Sequence, residues 1–210
     1  MDAHKDHLKD HYRSLAQKLI SGQMTADQFA EELATIHLSL EQLSWQDNLV
    51  EGFLNNTGFT KALEVELELL KRIDRLQGVL LALDIDRLKK FNDSMGHVAG
   101  DRLIKTYGQV MTINTRAADL KGRLGGDEFG IFLTGSNIDN AKIVAERIRT
   151  DIISTVKEAF LEWPEEQTVS IGIAELREED SVQTLREKAD KALYEAKKTR
   201  NSTSVHTLPS

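Results

Sequence analysis

Residues 123–133 read RLGGDEFGIFL. Two glycines and two adjacent acids, Gly125, Gly126, Asp127 and Glu128, stand between apolar residues of strand character. Short runs rich in β-branched and aromatic residues favour pleated strands, so the Gly-Gly pair predicts the tight turn of a hairpin. Such a pair permits positive φ and lets backbone approach a bound group closely. Neighbouring carboxylates on one turn repel each other. Either this turn is solvated punctuation, or something positively charged belongs against it.

A second pair of acids ends the run GVLLALDID, residues 78–86. Side chains alternate across a strand, which puts Asp84 and Asp86 on one side and Ile85 on the other. Acids that close an apolar strand lie at a sheet edge, where ligand sites commonly form. If the hairpin turn packs beside this strand end, three or four carboxylates converge. Left unneutralised, they would raise one another's pKa. A hard divalent cation with oxygen ligands removes that cost, and Mg²⁺ suits carboxylates that share it with substrate phosphates. The simpler alternative is that these acids are turn and cap residues facing water.

Composition narrows the classes. With 210 residues the chain holds one ordinary domain plus an appendage, and its 40% apolar and 29% charged residues are those of a soluble globular protein. No apolar run approaches the roughly 20 residues that span a bilayer, and the polar N-terminus MDAHKDHLKDHY lacks the apolar region of a signal peptide. The absence of cysteine excludes disulfides and thiolate metal sites and fits a reducing, cytoplasmic setting. A net charge of −7 argues against a broad nucleic-acid-binding surface while allowing a single nucleotide held through a metal and a few basic residues.

Residues 1–46 read as a helical hairpin. Leu8, Tyr12, Leu15 and Leu19 form one stripe, and Phe29, Leu33, Ile36, Leu40 and Leu43 form another. The segment SGQMT separates them, and Thr25 with Gln28 has the form of a capping box. Helices this short need their stripes covered, preferably by a second copy of the chain, otherwise by its own main domain. His4, His7 and His11 share a helical face that can bind a transition metal with a partner chain's help; a solvated face is the simpler reading. Residues 47–210 alternate strands and helices and end in a weak polar tail, NSTSVHTLPS, that can supply a last edge strand. This predicts an α+β domain.

RLGGDEFGIFL closely resembles the signature of GGDEF-domain diguanylate cyclases, which condense two GTP into the second messenger cyclic di-GMP. LDIDRLKKFNDSMGHVAGDRLI is similar to the family's stretch from metal-binding strand to guanine-binding loop, TVSIGIAEL to its fourth strand and ADKALYEAKK to its terminal helix. The resemblance covers residues 48–202. It implies a central, mostly antiparallel sheet flanked by helices, of the ferredoxin-like or palm type.

Carried over residue by residue, the resemblance makes Asp84, the Ile85 carbonyl, Asp127 and Glu128 ligands of Mg²⁺ or Mn²⁺. Glu128 serves either there or in activating the 3′-hydroxyl. Asn92 and Asp101 match the pair that hydrogen-bonds guanine, whose N1 and N2 hydrogens a carboxylate can accept and adenine cannot offer. Lys89, Lys197 and Arg200 resemble phosphate-contacting residues, and Gly125 and Gly126 line the substrate. Arg116 and Asp119, in RAAD, match an inhibitory RxxD site for the cyclic product. Arg147 falls where a neighbouring protomer often supplies a further arginine. One domain holds one GTP, so the reaction implies a homodimer.

The family's opening pattern, DxLTGLxNRRxF, is altered here to NLVEGFLNNTGF over Asn48–Phe59: the leading acid becomes Asn48, and Asn56 and Thr57 replace arginines. AKKTRNS lacks the usual glycine before Arg200. Two rival readings follow: a non-catalytic module that binds GTP or cyclic di-GMP as an effector, and a cyclase of mixed purine use. The intact acids count against the first and Asp101 against the second.

Overall fold

The run GVLLALDI becomes the central strand, β2, Gly78–Ile85, with every residue buried. In the computed structural model, which describes residues 44–72 and 77–207 together with 14, 17, 18, 21–25 and 28, β2 has antiparallel neighbours on both sides. These are β4 (Glu128–Thr134) and β5 (Val169–Glu175). β4 pairs onward with antiparallel β3 (Leu120–Arg123). Two short parallel strands close the edges, β1 (Leu54–Asn55) beside β3 and β6 (Thr203–Val205) beside β5. The sheet order is β1-β3-β4-β2-β5-β6. The expected α+β fold with a mostly antiparallel sheet is therefore observed, and the polar tail does supply an edge strand.

Among the described residues, five helices cover the sheet: α1 (Asn56–Arg72), α2 (Leu88–Met95), α3 (His97–Ile113), α4 (Ile138–Ala159) and α5 (Val182–Thr199). The alternation of β2 divides them. Val79, Leu81, Leu83 and Ile85 join one core with Phe91 of α2, Leu103 and Tyr107 of α3, and Ile148 and Ile152 of α4. Leu80 and Ala82 join a second core with Leu63 and Leu67 of α1 and Leu185 and Ala189 of α5. Each fully buried Leu, Ile or Phe side chain contributes about 1.5–3 kcal/mol. A buried acid at one strand end is tolerated on that foundation. Asp84 continues the even-numbered series, so it emerges on the face covered by α1 and α5.

The chain divides into two units, Met1–Ser44 and Trp45–Ser210. The second begins at Trp45 because Trp45 O accepts the Asn55 N–H at 2.6 Å and Gln46 bridges to Leu54. In the first unit, the Ser21 N–H reaches Gln17 O at 3.0 Å, Gln23 N–H reaches Lys18 O at 2.9 Å, and Gly22 takes φ 71°. The capping box follows: Gln28 N donates to Thr25 Oγ1 at 3.2 Å and Thr25 N to Gln28 Oε1 at 3.0 Å. The apolar stripes of the predicted hairpin and His4, His7 and His11 lie outside the described residues.

Candidate active site

Register brings the two acidic motifs together. Asp84, near the end of β2, stands opposite Glu128 on β4 and Ser170 on β5. One residue on, Ile85 N–H donates to the Asp127 carbonyl at 3.0 Å, which draws the turn between β3 and β4 against the strand end. Asp84 is only 6% exposed. Burial pushes its carboxyl up to about 6; the charges of Asp127 and Glu128 add to the rise, and a hydrogen bond from Lys197 opposes it. Lys197 Nζ, from α5, donates to Asp84 Oδ2 at 2.6 Å. This ion pair exists because Asp84 shares its sheet face with α5.

Two expectations, one for the acids and one for the glycines, are corrected. Asp86 lies on the predicted side but does not join the cluster. Its carboxylate accepts from Thr168 Oγ1 at 2.7 Å, Ser170 Oγ at 2.8 Å and Asn201 N at 3.0 Å, which makes it a structural anchor for the end of α5. The glycines also act otherwise than expected: neither Gly125 nor Gly126 has positive φ. A Cβ on Gly125 would stand 3.0 Å from Glu128 Oε2, whereas one on Gly126 would meet nothing within 4 Å. Gly125 thus makes room for the Glu128 side chain, and Gly126 keeps the exposed approach to the turn clear.

The donors available to a metal are all oxygens, a set that suits a hard divalent cation. Burial first, and then the charges of Asp127 and Glu128, hold the Asp84 carboxyl high against the Lys197 ammonium, and a cation at this cluster would offset the repulsion among the acids. As they stand, however, no three Asp, Glu or His side chains among the described residues are gathered closely enough to grip one. Asp127 is half-buried and Glu128 exposed.

The turn is held from behind by a residue that the sequence reading overlooked. Asp47 Oδ1 caps Leu49 N at 2.9 Å and Val50 N at 2.7 Å, while its Oδ2 lies 3.5 Å from Arg123 Nη1. Arg123 in turn donates to the Gly126 carbonyl, from Nη2 at 2.8 Å and from Nε at 3.3 Å. An acid thus stands one position upstream of Asn48, as Asp47, and supports the turn. Gly52, five residues on, takes φ 77°, a conformation that glycine adopts without strain. The signal was in the sequence, one position upstream.

The other expected substrate residues lie on α2, α3 and α5. Lys89 is exposed on α2, whose neighbouring Lys90 is taken by Glu165. Asn92 follows on the same helix, and Asp101 is exposed near the start of α3. Arg87, at the N-cap of α2, and Arg200, at the C-cap of α5, both take φ 58°. Strained backbone of this kind clusters at functional sites.

Arg116, Asp119 and Arg147 also converge, on a cavity of about 310 Å³ that Asn114, Leu133 and Thr134 help to line. Asp119 Oδ2 accepts the Arg116 N–H at 2.7 Å, and Asp119 N donates to Arg116 O at 3.1 Å, so RAAD is a closed turn that projects the arginine outward. Arg147 lines this cavity from the same chain as Arg116 and Asp119. Arg147 Nη2 donates to the Asn114 carbonyl at 2.7 Å, and its Nε donates to Asn114 Oδ1. Asn114 is buried and further fixed by donating to Asp151 Oδ2 at 2.9 Å.

A strand-end carboxylate facing a GGDEF turn, with an RxxD cavity on the same domain, defines a class. The chain belongs to the family described as diguanylate cyclase, GGDEF domain, which residues 45–203 match. Among its relatives, the probable diguanylate cyclase DgcT of Escherichia coli (strain K12) is 40% identical over 123 residues, 57% of this chain and 27% of that protein. Diguanylate cyclase DgcP of Pseudomonas aeruginosa is 29% identical over 201 residues, 94% of this chain and 30% of that one. The chain thus spans less than a third of the length of either relative. The GGDEF domain of DgcB from Caulobacter crescentus, solved in complex with c-di-GMP, aligns with a TM-score of 0.69 at 26% identity, over 77% of this chain and 93% of that one. Diguanylate cyclase SiaD from Pseudomonas aeruginosa, solved with its activator SiaC, gives 0.69 at 27% identity, over 97% and 78%. Among the described residues, no helix is long and apolar enough to cross a membrane.

Proposed function

We propose that the chain is a diguanylate cyclase that joins two GTP into cyclic di-GMP and releases two pyrophosphates. The observation that carries this is the cross-strand placement of Asp84 against Glu128, which sets the acids of two motifs at one sheet edge beside the ammonium of Lys197. The carboxylates of Asp84, Asp127 and Glu128, with the Ile85 carbonyl, would hold a divalent cation that neutralises phosphate charge.

The chain's own groups do the rest. Asn92 and Asp101 orient guanine, and Lys89, Lys197 and Arg200 receive the β- and γ-phosphates. Glu128, exposed at the turn, is placed to draw the proton from the 3′-hydroxyl. That oxygen bonds to the α-phosphorus of the other GTP as the bond to the bridging oxygen breaks and pyrophosphate departs. Repetition on the second nucleotide closes the ring. Positioning and charge neutralisation supply most of the catalysis. Two GTP-loaded sites must face each other, so the active form is a homodimer. The cavity of Arg116, Asp119 and Arg147 takes the product and restrains the enzyme: arginines fork onto phosphate or guanine edges, and Asp119 can accept from guanine.

The test is incubation of the purified chain with GTP and Mg²⁺, followed by mass-resolved chromatography, beside an Asp127→Ala control. Cyclic di-GMP from the wild type alone is the expected result. No product from protein stripped of bound cyclic di-GMP would replace this reading with that of a binding module.

A further inference from the structure

Helices α2 and α3 meet at a single residue, Gly96, whose φ is 84°. Gly96 N–H donates to the Asn92 carbonyl at 2.8 Å, and Gly100 N–H donates to the Gly96 carbonyl at 3.1 Å. The corner is so tight that the Asn92 side chain lies against the backbone of α3. A Cβ on Gly100 would overlap Asn92 Oδ1 and approach its Cγ to 2.8 Å and its Nδ2 to 3.3 Å. Gly100 is buried in the first turns of a 17-residue helix, where glycine is an unfavourable choice unless space demands it.

The carboxamide oxygen of Asn92 is shielded from solvent and accepts no hydrogen bond. Buried acceptors usually find a donor, so the carboxamide sits here because of the space over Gly100 and not because of a hydrogen bond made by its oxygen. With oxygen turned toward Gly100, the amide NH₂ points away from it, and two donors remain for a ligand. Asp101, next along the helix, offers only acceptors. A donor and an acceptor side by side complement guanine, whose O6 and N3 accept and whose N1 and N2 donate.

We propose that Gly100 is a specificity-determining positioning residue: the space it leaves seats the Asn92 carboxamide against α3 beside Asp101, in reach of the guanine edge. This rests on the cyclase reading above. Gly100 touches no substrate and acts through Asn92.

The test is a double-mutant cycle in nucleotide affinity. A GTP analogue with a methylene between the α- and β-phosphates, which cannot turn over, is titrated with Mg²⁺ into wild type, Gly100→Ala, Asn92→Ala and the double variant. Gly100→Ala is expected to weaken binding at least tenfold in the wild type and less than twofold in the Asn92→Ala background, where nothing remains to displace. An equal loss in both backgrounds would make Gly100 a merely structural residue, and no loss in the first would remove its role; either overturns the proposal. Melting temperatures of the four proteins read the same cycle without nucleotide. If Gly100→Ala alone fails to fold and the double variant folds, the clash lies between these two residues as proposed; if both fail, the proposal falls. A wild type that binds no analogue overturns the cyclase reading and this one with it. Binding undiminished by Gly100→Ala overturns this inference alone.

Discussion

Lys197 Nζ and Asp84 Oδ2 lie 2.6 Å apart, although 113 residues separate them in the chain. The lysine lowers the Asp84 carboxyl, but burial and the neighbouring acids outweigh it and leave the group at about 6. An unfolded aspartate titrates near 3.9. Between these values the folded chain holds a proton that the unfolded chain has released. Stability therefore falls as pH rises through this window, and the loss is complete above about 6. The difference corresponds to about 3 kcal/mol at most. Asp84→Asn is thus expected to raise the melting temperature at pH 7.5 in metal-free buffer by about 5 °C, and to change little at pH 4. A variant that melts at or below wild type at pH 7.5 would show that the Lys197 pair outweighs burial.

The chain of contacts from Asp47 through Arg123 to the Gly126 carbonyl holds the turn that carries Asp127 and Glu128. Arg123→Ala removes the support without touching either acid. Turnover is expected to fall at least tenfold, since small misplacements of a reacting group cost that much or more. Asp47→Ala also removes the caps on Leu49 and Val50 and should cost about 1–2 kcal/mol in stability besides. Steady-state kinetics beside chemical denaturation separates the two effects. A wild-type kcat in Arg123→Ala would mean that the turn holds itself.

The architecture was legible because hydrophobic period and turn residues specify it locally. GVLLALDI reads as an apolar strand, although its central place comes only from its pairing on both sides, and Thr25 with Gln28 caps as its spacing says. Pairings across the fold were not legible in the same way. Nothing near Asp86 announces that Thr168, Ser170 and Asn201 saturate it, because all three come from other elements. The same applies to Arg147, whose place beside Arg116 depends on how α4 packs. Gly125 shows a further limit: the sequence marks that glycine is needed, but positive φ and close approach look alike until neighbours are placed.

The Arg116 cavity makes a separable prediction. Arg116 is exposed and its side chain makes no hydrogen bond among the described residues, whereas Arg147 is fixed to Asn114. Arg116→Ala should weaken cyclic di-GMP binding by 10- to 100-fold, the worth of a charge-assisted contact of about 1.5–3 kcal/mol, with an unchanged melting temperature. Arg147→Ala should weaken it similarly and also lower the melting temperature, because Asn114 loses a partner. Calorimetric titration with cyclic di-GMP and thermal melts check both. Product inhibition undiminished in Arg116→Ala would sink the inhibitory role of RAAD.

Arg200 makes the sharpest contrast between stability and function. At φ 58° and ψ 172° it occupies a region that is essentially reserved for glycine and costs about 1–3 kcal/mol for other residues. The next residue, Asn201, is held at φ 44° by its N–H to Asp86 and by accepting from Arg149 Nη1 at 2.8 Å. Those contacts hold the strained backbone in place, and the Arg200 side chain itself is exposed. Strained backbone of this kind clusters at sites that bind a ligand. Arg200→Gly should relieve the backbone and raise stability by about 1 kcal/mol, while weakening GTP analogue binding about tenfold through the lost phosphate contact. Urea denaturation and the analogue titration, run on one preparation, decide the matter. A variant that is more stable and binds as well as wild type would leave the strain without a function and remove Arg200 from the phosphate site.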